Sequence, residues 1–144
     1  MTSTSGISIK AVLVGVAIDI GGGMLAGVVF VTVYMGVLLS QGVSQADLQD
    51  RMLTDQSFYV VDVIIGEGFL AGGAFVAARI ARAREVAHTG LVGVLGVLIS
   101  AALAPGSGVD TTMYPSWYRP VLYGLALPVA LLTGYVARRF AKPR

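Results

Sequence analysis

No cysteine occurs anywhere in the 144 residues, there is one histidine, and charged side chains make up only 12% of the chain. The missing cysteines exclude disulfides, thiolate metal sites, cysteine nucleophiles and a lipidated cysteine. So little charge, about half the share found in soluble domains, excludes a well-solvated surface over most of the length. A net charge of only +2 offers no basic surface for nucleic acid. No P-loop, nucleophile elbow or cluster of metal ligands can be read from the residues. The glycine run at Ile20-Gly-Gly-Gly-Met24 follows no strand and has no phosphate-binding context. No metal, no cofactor and no enzymatic chemistry are therefore expected. No polar stretch approaches the roughly 50 residues that a separate soluble domain would need.

What is present is hydrocarbon: 56% of the residues are hydrophobic. A bilayer core of about 30 Å takes roughly 20 apolar residues as helix. Four segments qualify, at about 9–39, 58–80, 88–104 and 118–138. Their apolar runs are continuous, without the alternation of a barrel strand, so each predicts a helix whose backbone satisfies itself in lipid. The first run exceeds the about 7–15 residues of a signal-peptide core and lacks a small-residue cleavage pattern, so it is expected to remain in the membrane. The third is short and ends at Pro105; the fourth carries Pro128 near its middle, where a kink is expected. The expected fold is all-α, a single integral membrane four-helix bundle over residues 1–144, with the lipid bilayer as its first partner.

The basic residues set the expected orientation. Lys10, Arg79, Arg82, Arg84, Arg138, Arg139, Lys142 and Arg144 fall on one side of the four spans, and only Arg51 and Arg119 on the other. Positive residues stay on the cytoplasmic face, so both termini are expected in the cytoplasm and the chain in a bacterial inner (plasma) membrane. Tyr34, Phe58, Tyr59, Tyr114, Trp117 and Tyr118 gather at the outer ends, as an interfacial aromatic belt would. In the outer loop, 41–57, Ser44 and Asp47 resemble a helix cap pair, and Leu48 with Met52 would line one face of a short helix.

A repeat stands out. Ile20-Gly-Gly-Gly-Met-Leu-Ala-Gly27 recurs 45 residues later as Ile65-Gly-Glu-Gly-Phe-Leu-Ala-Gly72, and Phe30-Val31 as Phe75-Val76. The copies share Gly21/Gly66, Gly23/Gly68 and Gly27/Gly72, and small residues four apart let helices approach closely in lipid. These six glycines are therefore expected at helix contacts.

Three carboxylates fall inside the spans: Asp19, Asp62 and Glu67. A charge at mid-membrane costs roughly 3 kcal/mol on insertion scales, so each should be protonated, paired or hydrated. At 100° per residue, Asp19 shares a face with Gly15, Gly22, Gly23 and Ala26, and Glu67 with Val63, Ala71, Ala74 and Ala78. Both are thus candidate proton or cation sites on small-residue seams. Asp62 is a third candidate proton or cation site; one turn from the outer boundary, it is expected to reach water or pair with Arg119. His88 is expected to be solvated at the inner interface.

The four-helix outline is similar to that of small multidrug-resistance transporters and small fluoride channels. The tryptophan-rich first helix with a central glutamate of the former, and the polar track of the latter, are absent, so no residue role carries over. Two functions remain as expectations. One is a structural, accessory or assembly module, acting as a homo-oligomer or within a larger membrane complex. The other is a small channel or proton- or cation-coupled transporter using Asp19 and Glu67. A cavity reaching the acids favours the second; a dry seam favours the first.

Overall fold

A computed structural model describes residues 6–103 and 114–140, and these are helical nearly throughout, with no strand among them. We number the helices α1 (Ile9–Ser40), α2 (Leu48–Thr54), α3 (Gln56–Ala81), α4 (Glu85–Leu103) and α5 (Tyr118–Arg139). All but the short α2 are long and apolar enough to cross a membrane, which makes this a multi-pass membrane protein. Each span runs slightly beyond the apolar residues at one or both ends, because capping residues extend it. Pro105 lies outside the described residues, and α5 continues as one helix through Pro128.

Local chemistry explains the boundaries. The Ser8 side chain caps α1 by accepting from the Ala11 N–H. At its other end Gly42 takes a left-handed φ of 88°, and Gly42 and Val43 N–H groups return to the Leu39 and Leu38 carbonyls. This is the glycine-terminated helix end that needs no Cβ. Asp55 caps α3, accepting from the Ser57 N–H at 2.8 Å and from the Tyr34 hydroxyl. Those two donors hold its carboxyl below the usual carboxylate range. In the 41–57 loop Asp47, not Ser44, takes the cap position of α2, and Ser44 Oγ instead donates to Asp47 Oδ2 at 2.6 Å. Leu48, Met52 and Leu53 are the half-buried residues of α2.

The bundle has two unlike ends. At one, the start of α1, the α3–α4 connection and the end of α5 meet, carrying Lys10, Arg79, Arg82, Arg84, Arg138 and Arg139; we call this the basic end. Here small residues bring backbones together. A Cβ on Gly73 would collide with the Gly15 carbonyl, one on Gly93 would meet Ala130 at 2.8 Å, and one on Gly134 would strike Thr89. Around these contacts Val12, Val16, Leu70, Ala74, Ala77, Val92 and Ala126 form the core.

His88 belongs to this dense end and is not solvated, as its position in the sequence had suggested. Only 1% of it is exposed. Nε2 accepts from the Ser8 N–H at 2.8 Å, which leaves Nδ1 to donate to the Arg84 carbonyl at 3.0 Å. One ring thus ties the start of α1 to a connection in which Arg82 and Arg84 both adopt left-handed backbone, with φ of 53° and 51°.

The other, aromatic end is held by rings. Phe30, Tyr34, Phe58, Tyr59, Tyr114, Tyr118 and Trp117 form a chain of neighbours with centroids 5.1–6.2 Å apart. Trp117 Nε1 donates to Gln56 Oε1 at 2.8 Å and Tyr59 to the Leu53 carbonyl at 3.1 Å, so the rings keep polar partners as interfacial aromatics do.

The repeat glycines require a correction. A Cβ on Gly21, Gly23, Gly27, Gly68 or Gly72 would meet nothing within 4 Å, and one on Gly66 would only touch Leu122 at 3.6 Å. The close contacts are made instead by Gly15, Gly22, Gly73, Gly93, Gly96 and Gly134. On α3, Gly68 and Gly72 each lie roughly 160° around the helix from the buried Leu70, on the side away from the core. α1 is interrupted by a five-residue π-turn, Ile18–Gly22. Beyond it the helix stands away from α4 and α5, so Gly23 and Gly27 border the open space of a cavity and not a neighbouring backbone.

The contrast between adjacent glycines is testable. Gly73→Ala should lower the stability by about 1–3 kcal/mol, as overpacked interiors do. Gly72→Ala should leave it unchanged. Equal thermal unfolding midpoints for the two variants in detergent would refute this packing.

Candidate functional site: a cavity ending on two carboxyls

The dense packing does not continue along the bundle. The second half of α1, Gly23–Ser40, packs principally against α3 and α2, and stands away from α4 and α5. Between them lies a cavity of about 460 Å³. Tyr114, Tyr118 and Arg119 line it at the aromatic end, and Asp19 and Glu67 at its inner limit. Its walls are mainly hydrocarbon and glycine, among them Met24, Gly27, Leu70, Val97, Leu122 and Ala126. Beyond the acids, towards the basic end, the core of Val12, Val16, Ala74, Ala77 and Val92 closes the bundle.

Asp19 sits in the π-turn of α1. Its Oδ2 occupies the space that a Cβ on Gly96 would need, so the carboxyl rests directly on the α4 backbone. The neighbouring backbone is equally confined: the Asp19 nitrogen would lie 3.1 Å from a Cβ on Gly73. A π-turn is a common place for a helix to re-aim a functional side chain. Here it directs an acid into the bundle, level with two glycines on different helices.

Glu67 lies near the middle of α3, 11 residues after Gln56, or roughly 16 Å along the axis. Phe69, two residues further on, packs against Gly22, which brings Glu67 to about the level of Gly23. Its Oε2 is buried and has no hydrogen-bond partner among the described residues. Asp19 and Glu67 line the same cavity. An acid so placed requires a proton, a cation or water to satisfy it.

Asp62 lines the same cavity, 5 residues nearer the start of α3. It does not pair with Arg119. Tyr118 donates its hydroxyl to Asp62 Oδ2, while the Arg119 guanidinium lies over the Tyr114 ring, 5.5 Å from its centroid. Of the repeat glycines, Gly23, Gly27 and Gly66 line the cavity too, so their missing side chains leave space and do not bring helices together.

Sequence reasoning found the three acids but missed their surroundings. Gly96 seats Asp19, and Tyr118 binds Asp62. The signal for the first was Gly93 and Gly96, three apart on α4 and hence on one face; no local pattern announced the second. No group of three or more metal-binding side chains occurs among the described residues.

Comparison with protein-family models, with curated proteins and with solved structures finds no match. The class that fold and site define is a four-span membrane protein with a cavity lined by two buried acids.

Because the atom obstructing Gly96 is the end of a flexible side chain, Gly96→Ala should fold with nearly unchanged stability yet displace the Asp19 carboxyl. Infrared spectroscopy reads this directly: the carboxyl band lost in Asp19→Asn should shift in Gly96→Ala. An unshifted band would mean that Asp19 does not rest on α4.

Proposed function

We propose that this protein is a small polytopic transporter of the inner (plasma) membrane that moves protons or a cation by way of Asp19 and Glu67. The observation that supports this reading is the cavity. It extends from the aromatic end to both carboxyls, and the packed core lies beyond it towards the basic end. A purely structural acid pair would be expected in a closed seam with its oxygens satisfied, whereas Glu67 Oε2 is buried without a partner among the described residues. The packed core beyond the acids argues for a carrier that must rearrange over an open pore.

The acids suit the task chemically. Two carboxyls in a low-dielectric site resist being charged together, so the pair holds a proton or a cation in exchange for one another. The glycines around them let the helices shift without losing large interlocked side chains. In vesicles reconstituted with the purified chain, flux driven by a proton or cation gradient should be measurable. Asp19→Asn and Glu67→Gln, each nearly isosteric, should fold normally and abolish it. Flux equal to wild type in both variants would sink the proposal.

The basic end is proposed to face the cytoplasm, on the strength of its share of the arginines and lysines. Cysteine introduced at Ser44 should react with an impermeant thiol reagent from outside the cell, and cysteine at Ala87 should react only after the membrane is opened. The reverse pattern would invert the orientation.

A second reading has an observation of its own. Gly21, Gly68 and Gly72 present bare backbone at the outer surface of the bundle. A second copy or another membrane protein could pack there, which favours an assembly or accessory module. Under that reading the amide variants leave function intact, and Gly68→Leu disrupts a cross-linkable complex.

A further inference from the structure

We infer that the cavity takes an amphipathic organic monocation, an amine or quaternary ammonium carrying an apolar group, with its charge at Asp19 and Glu67. This rests on the preceding reading of the two acids as a proton or cation site and names the class of solute.

Size is the first argument. At about 460 Å³ the cavity lies within the range of small-molecule sites and far exceeds what a proton relay or one bare ion requires. The second argument is the wall. A hard inorganic cation exchanges its water for six or more oxygen ligands. Here Met24, Leu70, Val97, Leu122 and Ala126 supply hydrocarbon, and the polar side chains are spread along the length of the cavity, with Tyr114, Tyr118 and Arg119 at the aromatic end and Asp19 and Glu67 deeper in. Such a wall cannot replace a hydration shell, but it matches a solute whose charge is shielded by its own carbon atoms.

Charge is the third argument. Three carboxyls, Asp19, Asp62 and Glu67, line the cavity against the single guanidinium of Arg119, which lies over Tyr114. The acids also differ in readiness. Asp62 is engaged by the Tyr118 hydroxyl, and Glu67 Oε2, deeper in the cavity, has no partner among the described residues. A cation therefore meets its open acceptor only at the bottom of the cavity. On the way it passes Tyr118 and Tyr123, residues of a type that attracts ammonium groups. The apolar part is then left among the aliphatic side chains, and the charge between the carboxyls. Neutral solutes would leave the buried acids unsatisfied, and anions would be repelled.

The test is equilibrium dialysis of the full chain in detergent against benzyltrimethylammonium, its uncharged isostere neopentylbenzene, benzoate and potassium. Trp117, the only tryptophan, stands beside Tyr118 at 6.2 Å between ring centroids and gives a second, fluorescent readout. Saturable binding of benzyltrimethylammonium is expected, with no saturable binding of the isostere or benzoate and no displacement by potassium. Asp19→Asn and Glu67→Gln should each weaken it roughly tenfold or more, the equivalent of losing about one charge contact. Gly96→Ala, which keeps both acids but displaces Asp19, should weaken it while circular dichroism confirms an intact fold.

Equal affinity for the isostere, or unchanged affinity in both amide variants, would overturn the inference. Absence of ammonium binding together with acid-dependent proton or potassium flux in vesicles would overturn the solute class and leave the transport reading standing. Absence of both would remove the two together.

Discussion

The contact between Gly15 and Gly73, where the backbones of α1 and α3 meet with no side chain between them, is the constraint on which the rest of this structure depends. Lipid provides no hydrophobic drive for helices to associate, so close packing and backbone approach must hold a bundle together. The approach is made near the basic end, and Gly93 on α4 and Gly134 on α5 extend it to all four spans. Once α1 is clamped there, the π-turn immediately after it determines what the remainder of the helix can reach. Its second half leans on α3 and leaves α4 and α5 uncovered.

Two properties follow from that single clamp. The basic end is dense and dry, built of alanine, valine and glycine, with a buried histidine fastening Ser8 to the α3–α4 connection. The aromatic end is spread wider, and rings with their hydroxyl and indole partners hold it together in place of backbone contacts. The cavity is the difference between these two kinds of packing. Its floor is where small-residue packing ends, and the two acids lie on that floor. Carboxyl groups that would be costly in a uniformly packed seam are tolerable at its edge, where one side remains unfilled.

That arrangement also separates the duties of residues that look alike. Gly73 and Gly96 both deny space to a side chain, but the first meets a backbone carbonyl and the second a movable carboxyl. One therefore holds the fold and the other positions an acid. Asp62 and Glu67 are a little over one helical turn apart on α3, yet a tyrosine satisfies the first and nothing among the described residues satisfies one oxygen of the second.

Much of this was legible in the chain alone. Length and continuity of the apolar runs determine four helices, because lipid admits no other backbone for such segments. The distribution of basic residues separates the two ends, and the depth of Asp19 and Glu67 marks them as groups needing an explanation. What the chain could not disclose is which glycines touch. The repeat from Ile20 and Ile65 singled out Gly21, Gly23, Gly27, Gly66, Gly68 and Gly72, but similarity between two segments does not record which way each helix is rotated or where it parts from its neighbours. The solvation of His88 was misread for a related reason: its distance from the span's centre says nothing of the Ser8 backbone that folds over it. Hydropathy and charge act along the chain and determine which segments enter the membrane. The rotation of each helix, and hence the empty space beside two acids, is decided only when four helices compete for the same contacts.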